Sequence, residues 1–421
     1  MVKQGGILMT TESALNKDAL EYLAKIRNVD IVVGIPSYNN AKTIDHVVRV
    51  AAEGLTTYFD GLKALLINSD GGSSDHTRDV FAHVPASEDI AVLTTVYQGM
   101  PGKGTALKAV FEACVMLGAR GCVVVDADLR SITPEWIKLL AGPIVNDGAG
   151  YVTPLYLRHK YDGTITNSLA YPLTRALYGK RVRQPIGGDF GVSRDLAQSY
   201  LNKDVWGTET ARYGIDIFMT TTAIVEGFDI RQANLGAKIH DPKDPSDLVP
   251  MLRQVLGTMF SLMGQYKAEW MNVKGSEAVP SVGPIFEQEP EPVNVNFSGL
   301  VGNFKAGVKA NEHIWREFLS DSTISEVNVL TKLEEHSFAF PAELWVRIVY
   351  EYAVACNTGH LDSQEILNAL APLYFGRTAG FIKETETMNT TQANEIIERL
   401  ALLFESEKAY LLDAWKRNFA S

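Results

Sequence analysis

The residues that could do chemistry start with an apolar run, Cys122-Val-Val-Val, that leads into Asp126-Ala127-Asp128. At a strand end, two carboxylates spaced two apart can be aimed at one point. A hard divalent cation relieves their repulsion, and Mg²⁺ or Mn²⁺ held this way usually also takes oxygens from a substrate diphosphate. Asp-x-Asp is a common sequence, and a solvated turn after a buried strand is the other reading. Further along, Ala237-Lys-Ile-His240 places a histidine after a later strand. A neutral imidazole can complete a metal site begun by Asp128, although a histidine taken alone is more often structural.

Three other segments fall just after apolar runs. Ile35-Pro36-Ser-Tyr38-Asn39-Asn40 offers a rigid turn, a ring to stack on a base and an amide to bond a base edge. Asn68-Ser-Asp70-Gly71-Gly-Ser-Ser-Asp75 offers glycines that let backbone approach a ligand and a carboxylate for a ribose or base. Gly99-Met-Pro-Gly102-Lys103-Gly104 sets a lysine at a helix start, where a phosphate or sugar hydroxyl is well placed. Each also reads as an ordinary capped turn. Neither the Rossmann G-x-G-x-x-G pattern nor a P-loop is present, which weighs against NAD and ATPase chemistry.

The elements that must position these groups are legible as alternation. Asp30–Ile35, Leu62–Ile67, Ile90–Val96 and Gly121–Val125 read as strands. Helical patterns over 43–54, 74–82, 103–117 and 134–144 follow them, the last begun by a capping Thr133 and by Pro134. Such alternation predicts an α/β fold, a mainly parallel Rossmann-like sheet flanked by helices, with ligands along its carboxyl edge. Residues 162–167 read as a polar loop, 186–191 as a tight turn, 214–226 as a helix, 229–234 as a strand and 248–263 as an apolar helix. The expected organisation is a catalytic domain over 1–274, a linker over 275–296 and a mostly helical C-terminal region over 297–421. In that region 341–355, 362–371 and 391–417 are the clearest helices, and a dimer contact is expected there.

Composition sets the outer limits. With 421 residues and 46% hydrophobic content the chain can bury a large core. A net charge of -11 disfavours nucleic acid and anionic membranes. Cys114, Cys122 and Cys356 form no Cys-x-x-Cys pair, and no run approaches a membrane span or a signal peptide, so a cytoplasmic protein is expected.

Taken together, the segments resemble GT-A glycosyltransferases. More narrowly, the chain resembles the retaining glucosyl-3-phosphoglycerate synthase and glucosylglycerate synthase group, close to mannosylglycerate-type enzymes. Pro36-Ser-Tyr-Asn39, Asp70-Gly-Gly-Ser-Ser-Asp75, Gly102-Lys-Gly104, Val125-Asp-Ala-Asp-Leu129, Gln184-Pro-Ile-Gly-Gly-Asp189, Tyr213-Gly-Ile-Asp216 and Asn234-Leu-Gly-Ala-Lys-Ile-His240 carry the likeness, over roughly residues 28 to 265. The resemblance implies that Pro36, Tyr38 and Gly71 frame the base and that Asp126 meets the ribose. It implies that Asp128 and His240 hold Mg²⁺ or Mn²⁺ with the diphosphate, and that Lys103 contacts the donor. Asp216 stands where the group carries an acidic residue at the donor sugar, and Gly187, Gly188 and Tyr213 line the sugar and acceptor pocket.

One departure bears on the acceptor. Members of the group that use phosphoglycerate carry an Arg-x-Thr in the acceptor loop, where this chain has Thr164-Ile-Thr166-Asn167. Losing that guanidinium weakens binding of a phosphate dianion, so D-glycerate is the expected acceptor unless Arg158, Lys160 or Arg175 supplies the charge. The donor is expected to be UDP-, GDP- or ADP-glucose, with attack on the anomeric carbon from the face of the leaving group. Rival readings are an inverting transferase with Asp189 or Asp216 as base, a nucleotide-sugar-binding protein without catalysis, and a nucleotidyltransferase.

Overall fold

The computed structural model describes residues 12–239, 245–286 and 290–419. Among the described residues there are ten strands: β1 Ile31–Ser37, β2 Ala64–Asp70, β3 Ile90–Val96, β4 Gly121–Val124, β5 Tyr151–Leu157, β6 Lys180–Arg181, β7 Phe190–Ser193, β8 Ile230–Ala237, β9 Glu277–Ala278 and β10 Ser281–Val282. Eight form one sheet in the order β10-β8-β5-β7-β4-β1-β2-β3, and β6 pairs with β9 in a separate two-stranded ribbon. β1 runs parallel to β2 and β4, β2 parallel to β3, and β8 parallel to β10. β7 runs antiparallel to β4 and β5. The sheet is mainly parallel, as expected, and the short β7 is its antiparallel strand. Its glycine-rich approach, Ile186-Gly-Gly-Asp189, carries no strand-like alternation.

Strands this apolar need cover on both faces. Val33, Ile35, Leu66, Val123 and Val125 pack in one fully buried cluster with Val47 and Ala51 of the Ile44–Tyr58 helix and Trp136 and Leu140 of the Pro134–Asp147 helix. Proline opens the latter helix as expected, but the Thr133 hydroxyl makes no capping bond.

The chain forms two compact units, and their boundaries differ from the sequence-based division. The first unit takes the chain up to Tyr156, the stretch from Gly187 through β8, and Pro280–Ile285. The second takes Leu157–Ile186, the helices from Val249 to Trp270, and the chain from Phe286 onward. Leu157–Ile186 belongs there because its apolar and charged groups are satisfied by C-terminal helices. Tyr171 packs with Phe381, Ile396 and Ile397, and Arg175 pairs with Glu398 at 2.7 Å and Glu405 at 2.5 Å. The expected linker is also partly ordered sheet, since β9 and β10 lie within it. The 391–417 pattern is two helices, Thr390–Ser406 and Lys408–Phe419, and the expected polar loop ends in a π-helical turn, Thr166–Ala170. Among the described residues no helix is long and apolar enough to cross a membrane.

Candidate active site

Strand register places the first unit's groups on one edge. Ser37 pairs with Asp70 and Asp70 with Val96, so β1, β2 and β3 end level. Val124 pairs with Gly34, which puts Asp126 just beyond the end of β4. Because β7 is antiparallel and Phe190 pairs with Val124, the turn before β7 begins where β4 stops. That reversal brings Gly187, Gly188 and Asp189 to Asp126.

At the centre of this edge is a charged cluster. Lys103 Nζ, at the start of the Lys103–Leu117 helix, donates to Asp126 Oδ1 at 2.8 Å and lies 3.6 Å from Asp216 Oδ1. Lys238 Nζ, just past β8, donates to Asp126 Oδ2 at 3.0 Å, Asp189 Oδ2 at 2.9 Å and the Gly187 carbonyl at 2.8 Å. It also stands 5.1 Å from the centre of the Tyr156 ring. Asp189 is fully buried, accepts from the Asp126 amide at 2.8 Å and takes the Tyr156 hydroxyl as a further donor. Burial alone would raise the Asp126 pKa, but Lys103 and Lys238 together hold it below the ordinary carboxylate range. Burial pulls the Lys103 ammonium the other way, and Asp126, Asp216 and Asp189 more than offset it, so its pKa is raised. Burial raises the Asp189 pKa; Lys238 opposes this and Asp126 adds to it.

Gly188 is required by this packing. Its φ is +95°, and a Cβ there would lie 2.1 Å from Asp126 Oδ2 and 2.9 Å from Lys238 Nζ. Asp216, 8% exposed in the first turn of the Ile215–Val225 helix, accepts from the Gly187 and Gly188 amides at 3.2 and 3.0 Å through Oδ2. Its buried Oδ1 has no hydrogen-bond partner.

Asp128 is different from its neighbour. It lies exposed in the turn after β4, and its carboxylate has no hydrogen bond or ion pair among the described residues. Ala127 is buried, and its carbonyl accepts from the Thr43 hydroxyl at 2.8 Å. The Ile239 carbonyl accepts from the Arg130 amide at 3.1 Å, and the Ile239 amide donates to Ser131 Oγ at 2.9 Å. The tail of β8 therefore runs beside the loop that carries Asp128. His240, expected as the second metal ligand, lies outside the described residues. Among the described residues no group of three or more His, Cys, Asp or Glu is arranged to hold a metal ion.

The expected base-binding residues sit at the end of the edge. Tyr38 is 66% exposed, and Pro36 is half-buried in β1. A Cβ at Gly71 would come within 3.2 Å of the Tyr38 ring and 3.3 Å of the Tyr97 hydroxyl, so glycine lets the turn pass close to both side chains. Tyr97, which sequence reading did not single out, also accepts from the Gly102 amide at 3.0 Å. Asn39 braces the loop: its Oδ1 accepts from the Ser74 amide at 3.1 Å and its own amide donates to Ser73 Oγ at 2.8 Å.

Asp70, expected to meet a ribose or base, lies at the end of β2. It is fully buried, and its oxygens accept from Ser37 Oγ at 2.7 Å, Ser73 Oγ at 2.5 Å and the Gly72 and Ser73 amides at 2.9 and 2.7 Å. Those bonds make it a brace of the Gly71–Ser73 turn.

Tyr213, expected at the acceptor, belongs to the first unit and is 43% exposed. Thr164, Thr166 and Asn167 belong to the second. Thr164 is buried and shares a hydrogen bond with the Tyr374 hydroxyl. Thr166 is buried in the π-helical turn, and Asn167 Nδ2 donates to the Asp162 carbonyl at 3.2 Å. Of the cations weighed as replacements for that arginine, Lys160 is spent on the carbonyls of Thr385 and Met388 at 2.6 and 2.5 Å, and Arg175 on its two glutamates. Arg158 lies 3.8 Å from Asp162.

Lys238 and Tyr156 are the other residues that sequence reading left unassigned. A lysine at a strand end, two residues before the singled-out histidine, was the available signal for the first.

No family model matches the chain. It is 30% identical over 259 residues to glucosyl-3-phosphoglycerate synthase of Mycolicibacterium paratuberculosis, covering 56% of this chain and 72% of that one. The same enzyme of Mycolicibacterium smegmatis is 30% identical over 256 residues, covering 56% and 78%. The Mycobacterium tuberculosis enzyme solved with Mn²⁺, UDP-glucose and phosphoglyceric acid is 27% identical, with a TM-score of 0.45 over 61% of this chain and 86% of that one.

Proposed function

Because the chain belongs to the glucosyl-3-phosphoglycerate synthase family of glycosyltransferases, we propose that it transfers glucose with retention from a nucleoside-diphosphate glucose to the 2-hydroxyl of D-glycerate. The observation that carries the donor half is the pair of ammonium groups, Lys103 and Lys238, that converge on Asp126. Lys103 spends two of its three N–H groups, on Asp126 Oδ1 and, at 3.4 Å, on the Gly188 carbonyl, so a diphosphate oxygen can take the third while Asp126 keeps both lysines.

Asp128 suits a hard divalent ion, being an exposed carboxylate with no protein partner among the described residues. His240 is the second ligand implied by the resemblance. Mg²⁺ or Mn²⁺ bound there would supply Lewis-acid stabilisation of the departing diphosphate. The chain's own residues do the rest. The exposed Tyr38 ring, beside Gly71, offers a face on which the base stacks. Asp126 is held anionic by its two lysines and can accept from a ribose hydroxyl. Asp216 Oδ1, buried and without a hydrogen-bond partner, can accept from a donor-sugar hydroxyl and so orient the ring.

In the transfer, the bond from the anomeric carbon to the phosphate oxygen breaks as the glycerate 2-oxygen bonds to that carbon on the same face. The hydroxyl proton passes to the leaving phosphate oxygen. No protein base is required, which leaves positioning and charge stabilisation to the enzyme.

Glycerate is favoured over 3-phosphoglycerate by Thr164 at the position of the group's arginine, with Lys160 and Arg175 committed elsewhere. The second reading, 3-phosphoglycerate, is favoured by Arg158. Its Nη1 lies 3.3 Å from where a Gly163 Cβ would stand, beside the acceptor turn.

The deciding assay measures nucleoside diphosphate release from UDP-, GDP- and ADP-glucose with each acid, with and without Mg²⁺. A higher kcat/KM for glycerate is expected, and the reverse order refutes the acceptor assignment. The anomeric coupling of the product by NMR separates retention from inversion.

A further inference from the structure

Asp126 reaches solvent, but the groups that fix it in place do not. Behind it, Asp189 is fully buried and grips Asp126 twice. Asp189 Oδ1 accepts from the Asp126 amide, and Asp189 Oδ2 accepts from Lys238, whose Nζ donates in turn to Asp126 Oδ2. One partner therefore holds the Asp126 main chain directly and its carboxylate through an ammonium. Lys238 spends its three N–H groups on Asp126, Asp189 and the Gly187 carbonyl. Its part is to hold Asp126.

Tyr156 is 5% exposed and meets both members of the Asp189–Lys238 pair. Its hydroxyl donates to Asp189 Oδ2, the oxygen that also takes Lys238. The centre of its ring lies 5.1 Å from Lys238 Nζ, within cation–π range. The ring also packs on Trp136, with centroids 5.4 Å apart, and both belong to the same buried cluster. A carboxylate and an ammonium taken out of water need their remaining lone pairs and protons met. Tyr156 supplies Asp189 with a further donor and Lys238 with a ring face, from a ring that the core holds still.

We infer that Tyr156 is a positioning residue for the nucleotide: through Asp189 and Lys238 it sets the place of the Asp126 carboxylate, and with it the strength with which the ribose is held. The inference rests on the function proposed above, in which Asp126 accepts from a ribose hydroxyl. The two lysines take one lone pair on each Asp126 oxygen, which leaves acceptors for that hydroxyl.

Tyr156→Phe keeps the ring and its contact with Trp136 and deletes only the hydroxyl. The test is calorimetric titration of the whole protein, with Mn²⁺ present, by UDP, GDP and ADP. The 2′,3′-dideoxy analogue of the nucleotide that binds tightest follows. Wild type, Tyr156→Phe, Asp126→Asn and the double variant are compared. Tyr156→Phe should weaken the nucleotide by roughly 3- to 10-fold, the net worth of a hydrogen bond, and should bind the dideoxy analogue as wild type does. In the Asp126→Asn background the same change should cost nothing, because residues acting through one contact are not additive. Donor KM should rise by the same factor while acceptor KM stays. Wild-type affinity in Tyr156→Phe overturns the inference and leaves the function standing. Equal weakening of nucleotide and dideoxy analogue also overturns it, since a damaged fold weakens both. The expected pattern in a protein that transfers sugar to neither acid supports Tyr156 and removes the transferase reading. No binding of any of the three nucleotides to wild type removes both.

Discussion

Lys238 Nζ stands 3.0 Å from Asp126 Oδ2 and 2.9 Å from Asp189 Oδ2, so a single ammonium separates the half-buried Asp126 carboxylate from the fully buried Asp189 carboxylate. Replacing it by methionine leaves those carboxylates facing each other. Breaking a buried pair in this way costs on the order of 3–5 kcal/mol. Asp189, whose pKa burial already raises, is then pushed further up. A folded-state pKa above the unfolded value means that the folded state binds more protons, so stability falls as pH rises through that range. Urea unfolding of Lys238→Met should give a higher midpoint at pH 5 than at pH 7. A lower midpoint at pH 5 would remove Lys238 from this role.

Asp126 and Lys103 shift in opposite directions, each toward its charged form. The depressed Asp126 contributes stability above its unfolded pKa and loses it only as pH falls below the usual carboxylate range. The raised Lys103 contributes below its unfolded pKa and loses it only above the usual lysine range. Their pairing is therefore constant from about pH 5 to about pH 9. The destabilisation caused by Asp126→Asn should be equal at those two pH values. A difference above about 1 kcal/mol would mean that one partner titrates between them.

Gly188→Ala tests the close packing of the turn. A non-glycine residue at positive φ costs about 1–3 kcal/mol, and the added carbon must also displace Asp126. Thermal unfolding should register the strain. A misplacement of about 1 Å at Asp126 should cut kcat/KM by roughly 100-fold. A variant with wild-type activity would show that the turn opens when substrate binds.

Asp128→Asn and Asp126→Asn should part company. Asp128 is exposed and its carboxylate has no hydrogen bond or ion pair among the described residues, so its variant should unfold within about 0.5 kcal/mol of wild type. Its half-saturating Mn²⁺ in the activity assay should rise by more than the ~10–100-fold typical of an outer-shell change. An unchanged Mn²⁺ requirement would refute Asp128 as a ligand.

Asp216→Asn addresses the sugar pocket. Its Oδ2 contacts with the Gly187 and Gly188 amides can survive as amide oxygen contacts, so the fold should persist. Loss of kcat with donor KM little changed is expected if the carboxylate acts in the transition state. Full activity would remove it from the reaction.

Much of this was legible in the sequence, for physical reasons. β-branched runs alternating with helical periods specify a covered sheet, because an apolar strand must be buried on both faces. A polar cluster after each run then has to fall at the strand ends, and Asp126, Lys103 and Gly188 do. The sequence could not separate Asp70 from Asp126. Both are aspartates at strand ends, and only the fold surrounds the first with four donors while placing the second between two lysines. Lys238 was equally hidden, because its value comes from β7 running antiparallel and delivering Asp189 to the same point. The unit boundaries were hidden for a related reason. Tyr171 and Arg175 find their partners more than two hundred residues later, and local periodicity holds no record of contacts across that distance. Composition and period thus determined the kind of sheet and the edge on which chemistry sits. Strand direction and long-range burial, which are set only when the whole chain packs, decided which of the charged residues meet there.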